Sequence, residues 1–457
     1  MKIFSGTFAP VLILTVLSLA IVWSVLAKGG VWPADWQVAL IGIAFASGLY
    51  WAFCSTSRCV PKMSPWLLWP TYLIPAYLVF QLVPLPLGTL QILSPARAEL
   101  LMHLAPVITG VHSAPLSVNP PAALLHLFTF LGYILTFLLS RELAWRFPAS
   151  PWALCIPLIV VGFVEAIIGL AQIVSTWPTG SASGTYTNRD HFSGLLEMIL
   201  PLACVYGLVI FRRGAAGSQF ARALAACSVW LLAALMLVGI IYSESRMGFL
   251  VALFTLFFLG IMAVIPRDPT RAWRLYSLAT VALAVILMSV FLPPSQLLAR
   301  FAIVSSGGEI SADTRLQLWK ETLPLISEFR FFGCGLGGYE SVFLKYQDVS
   351  NNLRVEFAHN DYLQCLAELG FAGSAVMAVF FVSLLTGIFR RIFHEESEDS
   401  RLLSIACAAA LIAIGLHSLV DFNLYVPVNA MTVAWIAGVG SLSGPAPIRS
   451  FLPKRSR

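Results

Sequence analysis

The chain has 457 residues, of which 58% are hydrophobic and only 11% charged, and its mean hydropathy is +0.84. A soluble globular domain carries about 25% charged residues, so this composition excludes an ordinary soluble enzyme and points to an all-α, polytopic membrane protein. The net charge of +6 follows from where basic residues fall between apolar segments, and does not argue for a nucleic-acid partner.

In chain order, about twelve stretches approach the roughly 20 apolar residues that cross a bilayer: 8–27, 36–54, 66–86, 121–142, 152–174, 191–211, 223–242, 247–265, 275–293, 369–389, 402–421 and 425–443. Without water in the hydrocarbon each must be a helix, which satisfies its own backbone. The run after Lys2 is read as the first span, because no small-x-small cleavage site follows it. With the N-terminus inside, the outer connections of short or medium length carry only Lys28, Arg97, Arg189 and Arg246. The inner side holds several-fold more, from Lys2 and Arg58 to Arg455 and Arg457. That asymmetry orients both termini inward. The whole chain reads as one integral membrane domain, with no internal repeat.

Two outer connections are long, 87–120 and 294–368, and long connections in compact proteins tend to be functional. The second is rich in charge. Leu316, Trp319, Leu323 and Ile326 recur in it at helical spacing, so a helix is expected from Asp313, a good N-cap, with Pro324 bending or ending it. A second short helix is expected from Asn360 or Asp361 through Glu368. Between them "GCGLGGY" (333–339) supplies a flexible turn. Its likeness to a nucleotide-binding glycine loop carries no weight without a strand before it. The eight cysteines form no zinc set; Cys334 and Cys365 share the outer side, where a disulfide is conceivable.

Three polar clusters fall on that side: "GTYTNRDHFSG" (184–194), "YSESRMG" (242–248), and the pair "ADTRLQLW" (312–319) and "AHNDYLQCLAELG" (358–370). Arg189, Arg246 and Arg315 each sit at a predicted helix start, where a cation is unfavourable by a few tenths to about 1 kcal/mol. A multiply charged anion arriving between them would reverse the sign, since helix N-termini bind anions and guanidinium groups match phosphate oxygens. A diphosphate at the membrane surface is the candidate ligand. The bland alternatives are local pairs: Arg246 with Glu244, Arg315 with Asp313, Arg189 beside Asp190 or at lipid headgroups.

His359 is a candidate general base, or a structural hydrogen-bonder. His191 competes for the role. Glu165 and Glu197 lie deep in apolar helices, where ionisable groups are costly and suggest function; a buried hydrogen-bonded pair, with Gln172 near, is the alternative. Asp421 and Asn423 mark an outer turn that would complete the wall of one cavity. There is no HExxH and no paired Asp-x-Asp on the outer side, so neither metal nor other cofactor is expected.

In their order along the chain, "GTYTNRDHFSGLLEMILP", "SESRMG", "RLQLW", "GCGLGGY", "AHNDYLQCLAELGFAG" and "HSLVDFNLYVPVNA", spanning about 180–430, resemble the O-antigen ligase and O-antigen polymerase superfamily of bacterial inner-membrane glycosyltransferases. The resemblance implies transfer of a glycan from undecaprenyl diphosphate to an acceptor hydroxyl at the periplasmic face, by a metal-independent, inverting reaction. It implies catalytic roles for His359, Arg315 and Arg246, and an active-site cover formed by 294–368. Arg189, Asn188, His191, Asn360, Tyr362, Glu368 and Asp421 are the candidate substrate-binding residues. The acceptor is a lipid A core for a ligase or a second lipid-linked glycan for a polymerase, and the motifs do not separate the two. A lipid-linked-sugar flippase is the alternative in another class; it would place charges along several helix interiors rather than on one side.

Overall fold

The computed structural model describes residues 8–54, 60–104, 106, 110–147, 150–176, 180–212, 218–264, 312–347 and 354–442. Among the described residues, eight helices are long and apolar enough to cross a membrane. They are α1 (Phe8–Leu26), α2 (Pro33–Cys54), α6 (Pro120–Arg146), α7 (Cys155–Thr176), α8 (Arg189–Arg212), α9 (Gln219–Tyr242), α13 (Asp361–His394) and α14 (Glu398–His417). The remaining helices are α3 (Pro65–Leu82), α4 (Leu87–Leu93), α5 (Pro95–Leu104), α10 (Arg246–Val264), α11 (Ala312–Glu328), α12 (Tyr339–Phe343) and α15 (Pro427–Gly440).

Eleven of the twelve expected spans coincide with helices among the described residues, and eight of these meet the length and hydropathy of a span by themselves. The segments at 66–86, 247–265 and 425–443 are helical, as α3, α10 and α15, but are too short or too polar to qualify by themselves. The α3 helix carries Pro70 and Pro75, and its polar Tyr77 and Gln81 have work elsewhere. The segment 275–293 lies outside the described residues, as does the first part of the long connection.

Of the eight spans the most enclosed are α8 and α14, which pack against each other. Small side chains on α14, Ala406, Ala408, Ala409, Ala410 and Ala413, are buried and let the helices approach closely, as dispersion packing between membrane helices requires. The main apolar core runs through α1, α2, α6 to α10 and α13 to α15. Polar caps fix several helix starts: Asn119 accepts from the Ala122 amide, Ser218 from Ala221 and Ser397 from Ser400.

A second, smaller core sits at one end of the bundle, built from α5, α11, α12 and the start of α13, with Leu318, Leu325, Phe329, Tyr339 and Phe343 buried in it. Pro324 does not end α11, which continues to Glu328. A proline inside a helix costs about 3 kcal/mol, and burial of Leu325, Ile326 and Phe329 beyond it offsets that. Beside this core, Leu85–Pro86 and Ser113–Ala114 form a two-residue antiparallel ladder, which sequence periodicity did not reveal.

The glycine turn is rigidly seated. Gly333 (φ 73°) and Gly370 (φ 62°) both have left-handed φ values. A Cβ on Gly370 would lie 2.5 Å from the Gly333 amide nitrogen, and one on Gly333 would strike the Glu368 carbonyl. The two backbones therefore touch, and only glycine fits at either place. Gly370 also interrupts α13, so the predicted short helix and the following membrane helix form one element with a break between them. Tyr77 and Gln81 of α3 bind this junction, donating to the carbonyls of Phe332, Glu368 and Leu369 at 2.6–2.9 Å. Cys334 and Cys365 are free thiols.

Candidate active site

The start of α8, the turn from α9 to α10, the start of α11, the start of α13 and the turn after α14 meet at one end of the bundle. Each brings a residue that the sequence singled out. Asn360 explains how α13 begins there. Its carboxamide oxygen caps the amides of Tyr362 and Leu363 at 3.0 and 3.1 Å, and its nitrogen donates to the Leu419 carbonyl at 2.8 Å. The Asp361 amide donates to the carbonyls of Ser418 and Asp421. These bonds tie the residue just before the helix, His359, to the turn after α14.

His359 has φ 49°, a left-handed conformation uncommon for a residue with a side chain. Strain of this kind collects at functional sites. Its Nδ1 is 3.3 Å from Asp421 Oδ1. Asp421 is 1% exposed, and its other oxygen lies 3.5 Å from His191 Nε2. One carboxylate therefore serves two imidazoles. Burial pushes Asp421 upward, but the charge and hydrogen bond of His191, the bond from His359 and the charge of His417 hold it well below the usual carboxylate range. Phe422 packs edge-on against both rings, with centroids 4.6 Å from His191 and 4.8 Å from His359. Phe357 stacks on Phe422 at 4.2 Å.

The arginines are joined to the same place by a relay of carboxylates. Arg189 pairs with Glu244 at 3.3 Å, and Arg315 pairs with Asp190 at 3.4 Å. Both pairs join different elements, which the local pairs weighed from the sequence did not anticipate. Asp190 follows Arg189 and precedes His191, so the first turn of α8 touches α11, the α9–α10 turn and Asp421 together. Glu244 itself has φ 57°, a second strained residue in the site. Arg246, half-buried at the first position of α10, makes no side-chain hydrogen bond or ion pair among the described residues.

The other candidates have internal duties. Asn188 accepts from the Asp190 amide at 2.8 Å and starts α8. Tyr362 donates to the Gly415 carbonyl at 2.7 Å. Glu368 is buried, and its carboxylate accepts from Tyr425 at 2.6 Å, Gln364 at 3.1 Å and the Tyr339 amide at 3.2 Å. It fastens the glycine turn to α13. Glu165 accepts from the Thr185 amide and hydroxyl, both at 2.9 Å, while Gln172 binds the backbone at 183–184. Together these two shape the loop leading into α8. Glu197 pairs with neither: it lies 3.0 Å from His417 Nδ1, and both residues are fully buried.

Sequence reading missed Asp190 and Glu244 as cross-element partners of Arg315 and Arg189. It also missed His417 and Phe422, although both lie in the quoted "HSLVDFNLYVPVN". A histidine at the end of an apolar helix was a signal on the same footing as Glu197. Among the described residues no cluster of His, Cys, Asp or Glu is arranged to hold a metal ion. An apolar cavity lies along the bundle between α3, α6, α13 and α15, with Phe130, Phe137, Phe380 and Leu424 in its wall.

Residues 231–378 match the family described as O-antigen ligase. The match runs from the second half of α9 to the middle of α13, so it includes Arg246, Arg315 and His359 and stops short of Arg189, His191 and Asp421. No curated protein matches the chain.

Proposed function

Since the chain carries an O-antigen ligase domain in a bundle of membrane-spanning helices, we propose that it is a glycosyltransferase that moves a glycan from undecaprenyl diphosphate to an acceptor hydroxyl. The transfer takes place at the periplasmic face of a bacterial inner membrane. The observation that carries this reading is the convergence of His359, backed by Asp421, with Arg246, Arg189 and Arg315 at one end of the bundle.

An ionised Asp421 accepts the hydrogen bond of His359 Nδ1–H, which fixes the tautomer and leaves the Nε2 lone pair to receive the proton of the acceptor hydroxyl. The acceptor oxygen attacks the anomeric carbon and forms the new glycosidic bond. The bond from that carbon to the diphosphate oxygen breaks, and its electron pair leaves with undecaprenyl diphosphate. Attack opposite the leaving group inverts the anomeric centre. Arg246, which has no internal partner among the described residues, binds the diphosphate directly. Arg315 and Arg189 turn from Asp190 and Glu244 toward it, with those carboxylates holding the guanidinium groups in place until the anion arrives. The apolar cavity whose wall includes Leu424, three residues beyond Asp421, suits the start of the isoprenoid tail. No step requires a metal ion. The described parts of the long connection, 312–347 and 354–368, cover the site.

Reconstitution in lipid vesicles tests this. Wild-type protein given a glycan on undecaprenyl diphosphate is expected to elongate it when the substrate is alone, as a polymerase, or to transfer it once to an added lipid A core, as a ligase. His359→Ala is expected to abolish either reaction while remaining folded and inserted. Near-normal transfer by His359→Ala removes the base assignment, and absence of transfer by the wild type with either acceptor removes the function.

A further inference from the structure

The buried pair of Glu197 and His417 takes no part in the scheme above. Ionisable groups at that depth are expensive to bury, and this pair sits one turn from Asp421. The Val420 amide donates to the His417 carbonyl, and the same turn carries Asp421. Glu197 lies two helical turns beyond His191 on α8, and Asn423 approaches the intervening Gly194. The two histidine–carboxylate pairs are therefore neighbours through both helices.

Their unused atoms are complementary. Glu197 Oε2, His417 Nε2 and Asn423 Nδ2 are buried with no hydrogen-bond partner among the described residues, and Asp421 Oδ2 has only the 3.5 Å approach of His191. Native structures rarely leave such atoms unsatisfied, and ordered water typically supplies about three bonds at such a site. Two acceptors, a donor and an imidazole nitrogen that can act as either form a set that water can join.

We propose that Glu197 and His417 are the proton reservoir of the transfer site, connected to Asp421 by water held on these unpartnered atoms. This rests on the glycosyl-transfer reading. The acceptor O–H bond breaks as an N–H bond forms on His359 Nε2. The Nδ1 proton of His359 passes to Asp421 Oδ1, and the neutral carboxyl group so formed turns its hydroxyl toward the water, releases that same proton to it and is ionised again. That water hands one on to Glu197 Oε2, the ionised carboxylate that faces the charged imidazole of His417, and the carboxylate becomes a neutral acid. Later the proton returns by the same route, through His359, to the departing diphosphate.

The groups facing the pair enter its balance. On α8 these are Asp190 and His191. From the turn after α14 comes Asp421, and from the start of α13 come His359 and Asp361. Arg246 begins α10, which packs on α14, Glu244 follows α9, and Arg315 acts through Asp190. Glu165 on α7 is engaged by Thr185. Glu197 and His417 are positioning residues, since neither touches substrate.

The test uses full-length protein in vesicles and two readouts. Infrared difference spectra across a pH series are expected to show a protonated-carboxyl band in the wild type that disappears in Glu197→Gln. The same variant is expected to lose about tenfold to a hundredfold in kcat, within the range of general acid–base contributions, with an unchanged KM for the lipid-linked donor and a narrowed pH profile. If Glu197→Gln does not fold, His417→Gln is read for a shifted carboxyl band and the same profile. A titration without a band assignable to Glu197, or a pH profile that superimposes on the wild type, overturns the proposal. Uniform loss at every pH assigns the pair to structure alone and overturns it too. A wild type that transfers no sugar defeats the functional reading instead, while the infrared band still decides whether the pair titrates.

Discussion

Replacing Asp421 by Asn separates the charge of this residue from its shape. The carboxylate is 1% exposed and accepts from His359 at 3.3 Å while facing His191 at 3.5 Å. Asparagine keeps the volume but offers one acceptor in place of two and carries no charge. A hydrogen bond to a charged group contributes about 1.5–3 kcal/mol, and the long separation here favours the lower half. Loss of about 1.5–2 kcal/mol from the orientation of His359 corresponds to a fall of about 10- to 30-fold in transfer rate. The altered tautomer preference of His359 adds to that. Stability changes as well. Because the pKa of Asp421 is depressed in the folded protein, its contribution is complete above the ordinary aspartate value of about 4 and is lost as pH falls below it toward the depressed value. The wild type is therefore expected to lose thermal stability at acid pH more steeply than Asp421→Asn. The assay is initial transfer rate from a lipid-diphosphate donor in vesicles, with the unfolding temperature followed from neutral to acid pH. A folded Asp421→Asn protein within twofold of the wild-type rate, with an identical acid limb, refutes the role assigned to this carboxylate.

Arg315→Lys keeps the charge and loses the planar fork that matches a diphosphate, so transfer is expected to fall severely with the donor KM raised; full activity in the same assay removes the bidentate argument. Gly333→Ala places a methyl group against the Glu368 carbonyl at a left-handed φ, where strain alone costs about 1–3 kcal/mol. Its unfolding temperature is expected to drop well below that of the wild type, and an unchanged value contradicts the close backbone contact. Chelator treatment is expected to leave the transfer rate unaltered; activity lost to chelator and restored by added divalent ion overturns the metal-free mechanism. Tyr425→Phe removes the 2.6 Å bond to Glu368 and is expected to destabilise the protein by about 1 kcal/mol with little change in donor KM, which thermal unfolding and kinetics check together.

Much of this protein is legible in its residues taken singly and in order. Hydropathy places the apolar helices because a bilayer leaves the backbone few alternatives, and Asn360 before Asp361 marks the start of α13 through local capping. The arginines at helix starts and the histidine beside one stand out because each breaks a local rule. What the chain order cannot display is which groups face one another. Arg315 lies 125 residues from Asp190, and His417 lies 220 residues from Glu197. The nearest acids in the sequence, Asp313 and Glu244, therefore looked like the natural partners of Arg315 and Arg246. Tertiary packing gave Glu244 to Arg189 and Asp190 to Arg315. It set one buried aspartate between two histidines and left Arg246 without a partner among the described residues. Helix formation is decided within a few residues by hydrogen bonds along the chain. Pairing of buried charges is decided by which helices share a face, and that depends on how small and large side chains fit across the whole bundle.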